Sequence, residues 1–271
     1  MRKLLVWVLL GLLWLPAARA DYVTWRPDDA QPRVRVTTEE GLSVSEWCAV
    51  AVTDAEGVIG EIFFYCRVAN GTDQWVVPSA RVTLESEDGR TYAYDLWGNV
   101  YSYAIAPGRE SYMGENLMFQ WQWEDNSPCV TLEELVMLTV HMDWELYPEE
   151  DGTRLPPEGA RASVERLSPR WAGGQLWEML RVTVTNDSGE TYAGLGVSVG
   201  AYDAQGRLLY AVDDLVSSGQ GGLSIPDGSS FVIDMYADSY LGFDVLDYQE
   251  QTGCEAVEYR YILWSHKESW L

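Results

Sequence analysis

The sequence predicts an all-β protein of two tandem β-sandwich domains behind a cleavable export signal. Three observations carry this. Apolar and polar residues alternate over runs of five to eight, as in Arg181-Val182-Thr183-Val184-Thr185. Gly, Asn and Asp turns separate those runs. The same order of landmarks then occurs twice along the chain. Alternation of period two marks a strand with one face buried, whereas an amphipathic helix repeats every 3.6 residues. No long stretch of helical period is present, although Thr131 to Leu135 could form a single helical turn.

Residues 1–20 read as a secretory signal peptide. Arg2 and Lys3 supply the positive start, Leu4 to Leu15 the apolar core, and Ala18-Arg19-Ala20 the small residues of a cleavage site. Twelve apolar residues are too few for a bilayer, which needs about 20. No second long apolar run follows, so no membrane span is expected after cleavage. The formal net charge is -24 for the whole chain. Loss of Arg2, Lys3 and Arg19 leaves 15 basic residues against 42 acidic ones, a net of -27. Such a balance excludes nucleic-acid binding, which requires a Lys/Arg surface for the phosphates. It also opposes docking on anionic lipid, and it favours a protein partner with a basic patch.

The first domain is placed at residues 21–145 and includes an N-terminal extension. Its landmarks are the strand and turn Cys66-Arg67-Val68-Ala69-Asn70-Gly71, the run Arg81-Val82-Thr83-Leu84, and the turn Glu87-Asp88-Gly89. Pro107-Gly108 and Ser127-Pro128-Cys129 follow. Residues 146–160 hold three Pro and four acidic residues without apolar periodicity, and read as an exposed linker. The second domain, residues 161–271, repeats the order. Val182-Thr183-Val184-Thr185-Asn186-Asp187 leads to Gly196-Val197-Ser198-Val199 and the turn Asp203-Ala204-Gln205-Gly206. Pro226-Asp227-Gly228 and Thr252-Gly253-Cys254 complete it. Asn70 and Asn186 should superpose, as should Cys129 and Cys254, each Cys on its domain's last strand. Each unit has about 110 residues, the usual size of a seven- or eight-strand sandwich.

The second copy resembles the FxLYD domain of exported prokaryotic proteins. The likeness rests on the Asn turn after Val184, on Val199-Gly200-Ala201-Tyr202-Asp203, where Tyr and Asp of the namesake motif remain, and on the later Pro-x-Gly followed by Phe231. In the first copy the corresponding run, Val82-Thr83-Leu84-Glu85-Ser86, keeps neither residue. The resemblance covers about Val182 to Phe231. It implies an immunoglobulin-like β-sandwich with a binding or structural role and no catalytic residues.

Candidate chemistry is sparse. Gly196-Val197-Ser198-Val199-Gly200 matches G-x-S-x-G, but a nucleophile elbow needs a strand, a sharp turn and a helix, and here Ser198 lies inside an alternating strand. His141 and His266 are the only His, and neither has a metal-ligand spacing. Acidic pairs such as Asp28-Asp29, Glu133-Glu134 and Asp213-Asp214 are expected in a chain with 42 carboxylates. No EF-hand loop is present. No cofactor is expected. The sequons at Asn70 and Asn186 occupy matching turns, and turn chemistry explains them.

The unusual feature is the aromatic content, with eleven Trp after the signal. In Phe119-Gln120-Trp121-Gln122-Trp123 three aromatics share one strand face. Buried, they are core; exposed, Trp121 and Trp123 would be a stacking platform for a sugar. Four Cys remain outside the signal, and export permits disulfides. Cys48 and Cys66 are expected to pair, because the turn at Asp54 to Gly60 is centred between them and each shares parity with inward apolar residues. The reading is a secreted, non-enzymatic binding or structural module whose partner is an extracellular protein or glycan. Beside it stand a carbohydrate-binding module and a hydrolase with paired carboxylates.

Overall fold

The structure, a computed structural model, describes residues 21–29, 33–96, 104–118, 130–147, 159–192, 195–215, 225–237 and 243–265. Trp121, Trp123, Cys129, His266, the signal segment and linker residues 148–158 lie outside the described residues. The described residues are all-β apart from one short helix.

In the first half, β1 (Asp21–Trp25), β3 (Leu42–Thr53), β4 (Ile59–Asn70) and β7 (Glu110–Met118) form one antiparallel sheet, ordered β1-β3-β4-β7. A second sheet, ordered β2-β8-β5-β6, contains β2 (Val34–Thr38), β8 (Leu135–Leu146), β5 (Val76–Ser86) and β6 (Thr91–Leu96). In it β2 joins β8 in parallel, and the other pairs are antiparallel. In the second half, β9 (Ala160–Ala172), β10 (Gln175–Asn186) and β13 (Ser229–Tyr236) form a sheet ordered β13-β10-β9. β11 (Leu195–Tyr202), β12 (Leu208–Leu215) and β14 (Glu258–Ser265) form one ordered β12-β11-β14. Replacing β3 to β8 by β9 to β14 in sequence reproduces both strand orders, so the second half repeats the first without β1 and β2.

The repeat extends to single hydrogen bonds. Asn70 Nδ2 donates to the carbonyls of Gln74 (2.7 Å) and Ile105 (2.8 Å), while its Oδ1 accepts from Thr72 N (2.9 Å). Asn186 Nδ2 donates to the carbonyls of Glu190 (2.7 Å) and Ile225 (2.9 Å), and its Oδ1 accepts from Ser188 N (3.2 Å). Both Asn are buried, and each ties a strand end to a crossing loop. These bonds occupy the amide nitrogen that a glycan would require, so the matching sequons serve the turns.

Alternation sends two faces of each strand to different neighbours. From β3 and β4, Ala49, Ala51, Ile62, Phe64, Cys66 and Val68 meet Val82, Leu84, Leu138 and Val140 of the other sheet, forming the first core. In the second half, Leu180, Val182 and Val184 of β10 face Val197, Val199 and Ala201 of β11. This second core does not stop there. It also takes in Cys48, Val50, Phe63, Tyr65 and Tyr112 from the opposite face of the β1-β3-β4-β7 sheet. The sheets containing β3 and β11 therefore pack against each other, and the second core is shared by the two halves.

This arrangement overturns the expected Cys48–Cys66 disulfide. Cys48 lies opposite Tyr65, and Trp47 opposite Cys66, so the two sulfurs leave the sheet on opposite faces. Cys48 enters the second core as a free thiol and Cys66 enters the first. Each does share parity with apolar residues, but the two sets belong to different cores. The helix α1 (Val245–Thr252) is a further departure from the sequence reading. Asp244 caps it by accepting from Asp247 N (2.9 Å), and Gly253 ends it at φ +68°. Cys254 consequently sits in the loop after α1 rather than on β14. Thr131 to Leu135 does form one turn, with Thr131 and Glu134 capping each other reciprocally and Leu135 N bonded to the Thr131 carbonyl (3.0 Å).

Candidate interaction surface

The most exposed large aromatic among the described residues stands at the tip of the β9–β10 hairpin. Gly173 and Gly174, at φ +60° and +88°, make the two-residue turn. Positive φ at both central positions matches the right-handed twist of the flanking strands, which is why Gly-Gly is used there. The turn sets Trp171 directly opposite Leu176. Their exposures are 70% and 36%. Arg170 and Trp177 pair one step down and so occupy the other face of the ribbon. The Trp177 indole donates to the Ala172 carbonyl (3.0 Å) and meets Tyr236 edge-on. Gln175 donates to Asp244 (2.9 Å), which joins the tip to the start of α1.

Beneath the hairpin lies Glu178, its side chain fully buried. One carboxylate oxygen accepts from Tyr210 (2.6 Å) and Tyr259 (3.2 Å), the other from Arg166 (2.9 Å) and Gln249 (2.9 Å). Four donors satisfy the carboxylate, as a buried charge requires. No lone pair is left directed at a substrate. The group works as a clamp, holding β9, β10, β12, β14 and α1 together at the base of the tip. Burial, together with the adjacent Glu178 charge, pushes the Tyr210 phenol well up.

The framework behind the hairpin is fixed by the contact between halves. Alternation along β11 turns Gly196, Ser198 and Gly200 to one face, where Gly196 lies under Trp264 of β14 while Ser198 and Gly200 meet the first half. A Cβ on Gly200 would stand 2.5 Å from Cε1 of Tyr112, so only Gly admits that ring. Ser198 is buried mid-strand, and its hydroxyl accepts from Tyr112 N (3.4 Å) and lies 3.3 Å from the Ser111 hydroxyl. The G-x-S-x-G match is thus a packing motif. The Tyr112 and Tyr202 hydroxyls bond at 2.8 Å, and Tyr202 donates in turn to Glu46. Arg67 (3.7 Å) and Arg260 (3.6 Å) flank the Glu46 carboxylate from the two halves, and the Arg260 guanidinium lies 3.9 Å from the Tyr202 ring centroid.

Other sequence candidates fall elsewhere. His141 hydrogen-bonds the Thr37 hydroxyl (3.0 Å) on the outer face of its sheet. Among the described residues, no three His, Cys, Asp or Glu side chains converge as a metal site. No helix among them is long and apolar enough to cross a membrane. The sequence reading missed Trp171. Its signal was Trp171-Ala172-Gly173-Gly174-Gln175-Leu176, a Gly-Gly pair between extended runs, which sets a tight register and places Trp opposite Leu. No protein-family model matches the chain, and no curated protein matches it.

Proposed function

We propose that the chain is an exported, non-catalytic binding module of two immunoglobulin-like β-sandwiches of the FxLYD-like kind, and that it engages an extracellular protein through the β9–β10 tip. The observation that carries this reading is Trp171, 70% exposed beside Leu176 on a two-residue turn. Interface hot spots are enriched in Trp, and an indole, with only two side-chain torsions, loses little conformational entropy on binding. The repeated strand order and the paired Asn clamps support the tandem-sandwich part. The net charge of -24 supports a partner with a basic patch.

A second reading is favoured by the same indole, because a flat exposed Trp can also stack on a sugar ring. The experiment compares wild type with a Trp171→Ser, Leu176→Ser double variant in pull-downs from native extracellular material, washed at stepped salt, and on a glycan array. The protein-binding reading expects one or more partners retained by wild type at low salt and lost from the variant by at least tenfold. Equal retention by both refutes it. Array binding that the variant loses selects the sugar.

A further inference from the structure

The thiols of Cys48 and Cys254 come from different halves of the chain. Cys48 on β3 is fully buried and faces the second half. The last cross-strand pair of β1 and β3 is Trp25 with Ala49, so Arg26 comes next to Cys48 on the same face. The Arg26 guanidinium is buried, the residue being only 9% exposed. Its Nη2 donates to the hydroxyl of Tyr248 on α1 (3.3 Å) and lies 3.8 Å from Cys254 Sγ in the loop after that helix. Its Nε has no hydrogen-bond partner among the described residues. A buried cation left in this state is unusual, and what surrounds it is a phenol and two sulfurs.

We propose that Cys48 and Cys254 are a disulfide pair that joins the two halves covalently across their shared core. Cys254 is the more accessible thiol, and residues 253–257 form no regular element, so the loop is the side that adjusts to bonding distance. Oxidation proceeds by exchange with a disulfide oxidant, either an oxidised dithiol protein or glutathione disulfide. The Cys254 thiolate attacks the oxidant and releases one thiol, leaving a mixed disulfide. The Cys48 thiolate then attacks the Cys254 sulfur and displaces the second oxidant thiol. The two protein thiols lose two protons and two electrons, and the oxidant S–S bond becomes two thiols. Burial pushes the Cys48 thiol up to about 12, with the Arg26 charge opposing it, so the second step is the slow one and accelerates as pH rises. The guanidinium stands where it can favour the attacking thiolate.

The oxidant in the source compartment rests on the exported reading, but the geometry is testable without it. The full chain is oxidised with glutathione disulfide, alkylated, and mapped without reduction after trypsin and a glutamate-specific protease, which cuts between Cys48 and Cys66 at Glu56 and Glu61. The expected product is a linked pair of peptides holding Cys48 and Cys254. It forms faster at pH 9 than at pH 7 and is absent from Cys48→Ala and Cys254→Ser. Reduction should lower the melting temperature of wild type and leave Cys48→Ala unmoved. Quantitative alkylation of Cys48 on unfolding after oxidation overturns the proposal. So does a link from Cys254 to Cys66 or Cys129. If the bond closes in vitro while native material carries it reduced, the failure belongs to the exported reading and the pairing stands.

Discussion

Gly200 shows how one side chain decides whether the halves can meet. Val197 and Val199 enter the core of the second half, and their small neighbours Ser198 and Gly200 lie on the face that the first half covers. The matching strand of the first half has Arg81 and Thr83 in those places, a polar face. Gly200→Val would drive its Cβ to 2.5 Å from the Tyr112 ring, which is itself tethered through its hydroxyl to Tyr202. A loss of about 1–3 kcal/mol is expected from overpacking. Thr83→Val, on the uncovered face, should change stability by less than about 0.5 kcal/mol. Urea denaturation of the two variants decides this. Equal effects would mean that the halves do not pack in solution.

The element that repeats most faithfully is the turn that follows β4 and β10. Each Asn supplies two donors to backbone carbonyls and one acceptor to the residue two positions on. Loss of either side chain removes three hydrogen bonds from a buried turn, each worth about 0.5–1.5 kcal/mol, although Ile105 and Ile225 keep their backbone donors Val76 and Tyr192. Asn70→Ala and Asn186→Ala should each therefore destabilise by about 2 kcal/mol and agree within about 1 kcal/mol, read from chemical denaturation. A cost confined to one of them would break the equivalence of the two turns. Strands and turns of this kind were legible because period two and turn chemistry act over a few residues. The helix α1 was not, since in eight residues it buries only Val245 and Tyr248, too few to show a period. Its caps, Asp244 and Gly253, were the signal available.

Across the whole molecule, the shared core holds a set of buried acids that stay protonated. The phenols of Tyr202, Tyr248 and Tyr259 are all pushed up, burial being the largest cause, and Tyr210 joins them. In the reduced chain the Cys48 thiol joins them, rising from 9.0 to about 12. The folded chain keeps these protons where the unfolded chain releases them. Stability from these groups is thus fully present below pH 9 and falls as pH rises from there toward 12 and beyond. The urea midpoint should be level between pH 7 and pH 8.5 and drop steeply by pH 10.5. A flat profile through pH 10.5 would mean that these groups are open to water.

The sequence by itself determined the all-β class, the placement of most turns and the doubling of the landmarks, because alternation and turn residues act locally. It also determined that Cys48 and Cys66 each face apolar surroundings. Only the tertiary structure decided that those surroundings are two different cores. Parity reports that a residue is covered but not by what, and the cover of the outer face of β3 and β4 comes from strands more than a hundred residues away. The same distance hid Cys254 from Cys48. A partner across the interface leaves no spacing signal in the chain, and only the fold brings Arg26 close to both residues of the proposed pair.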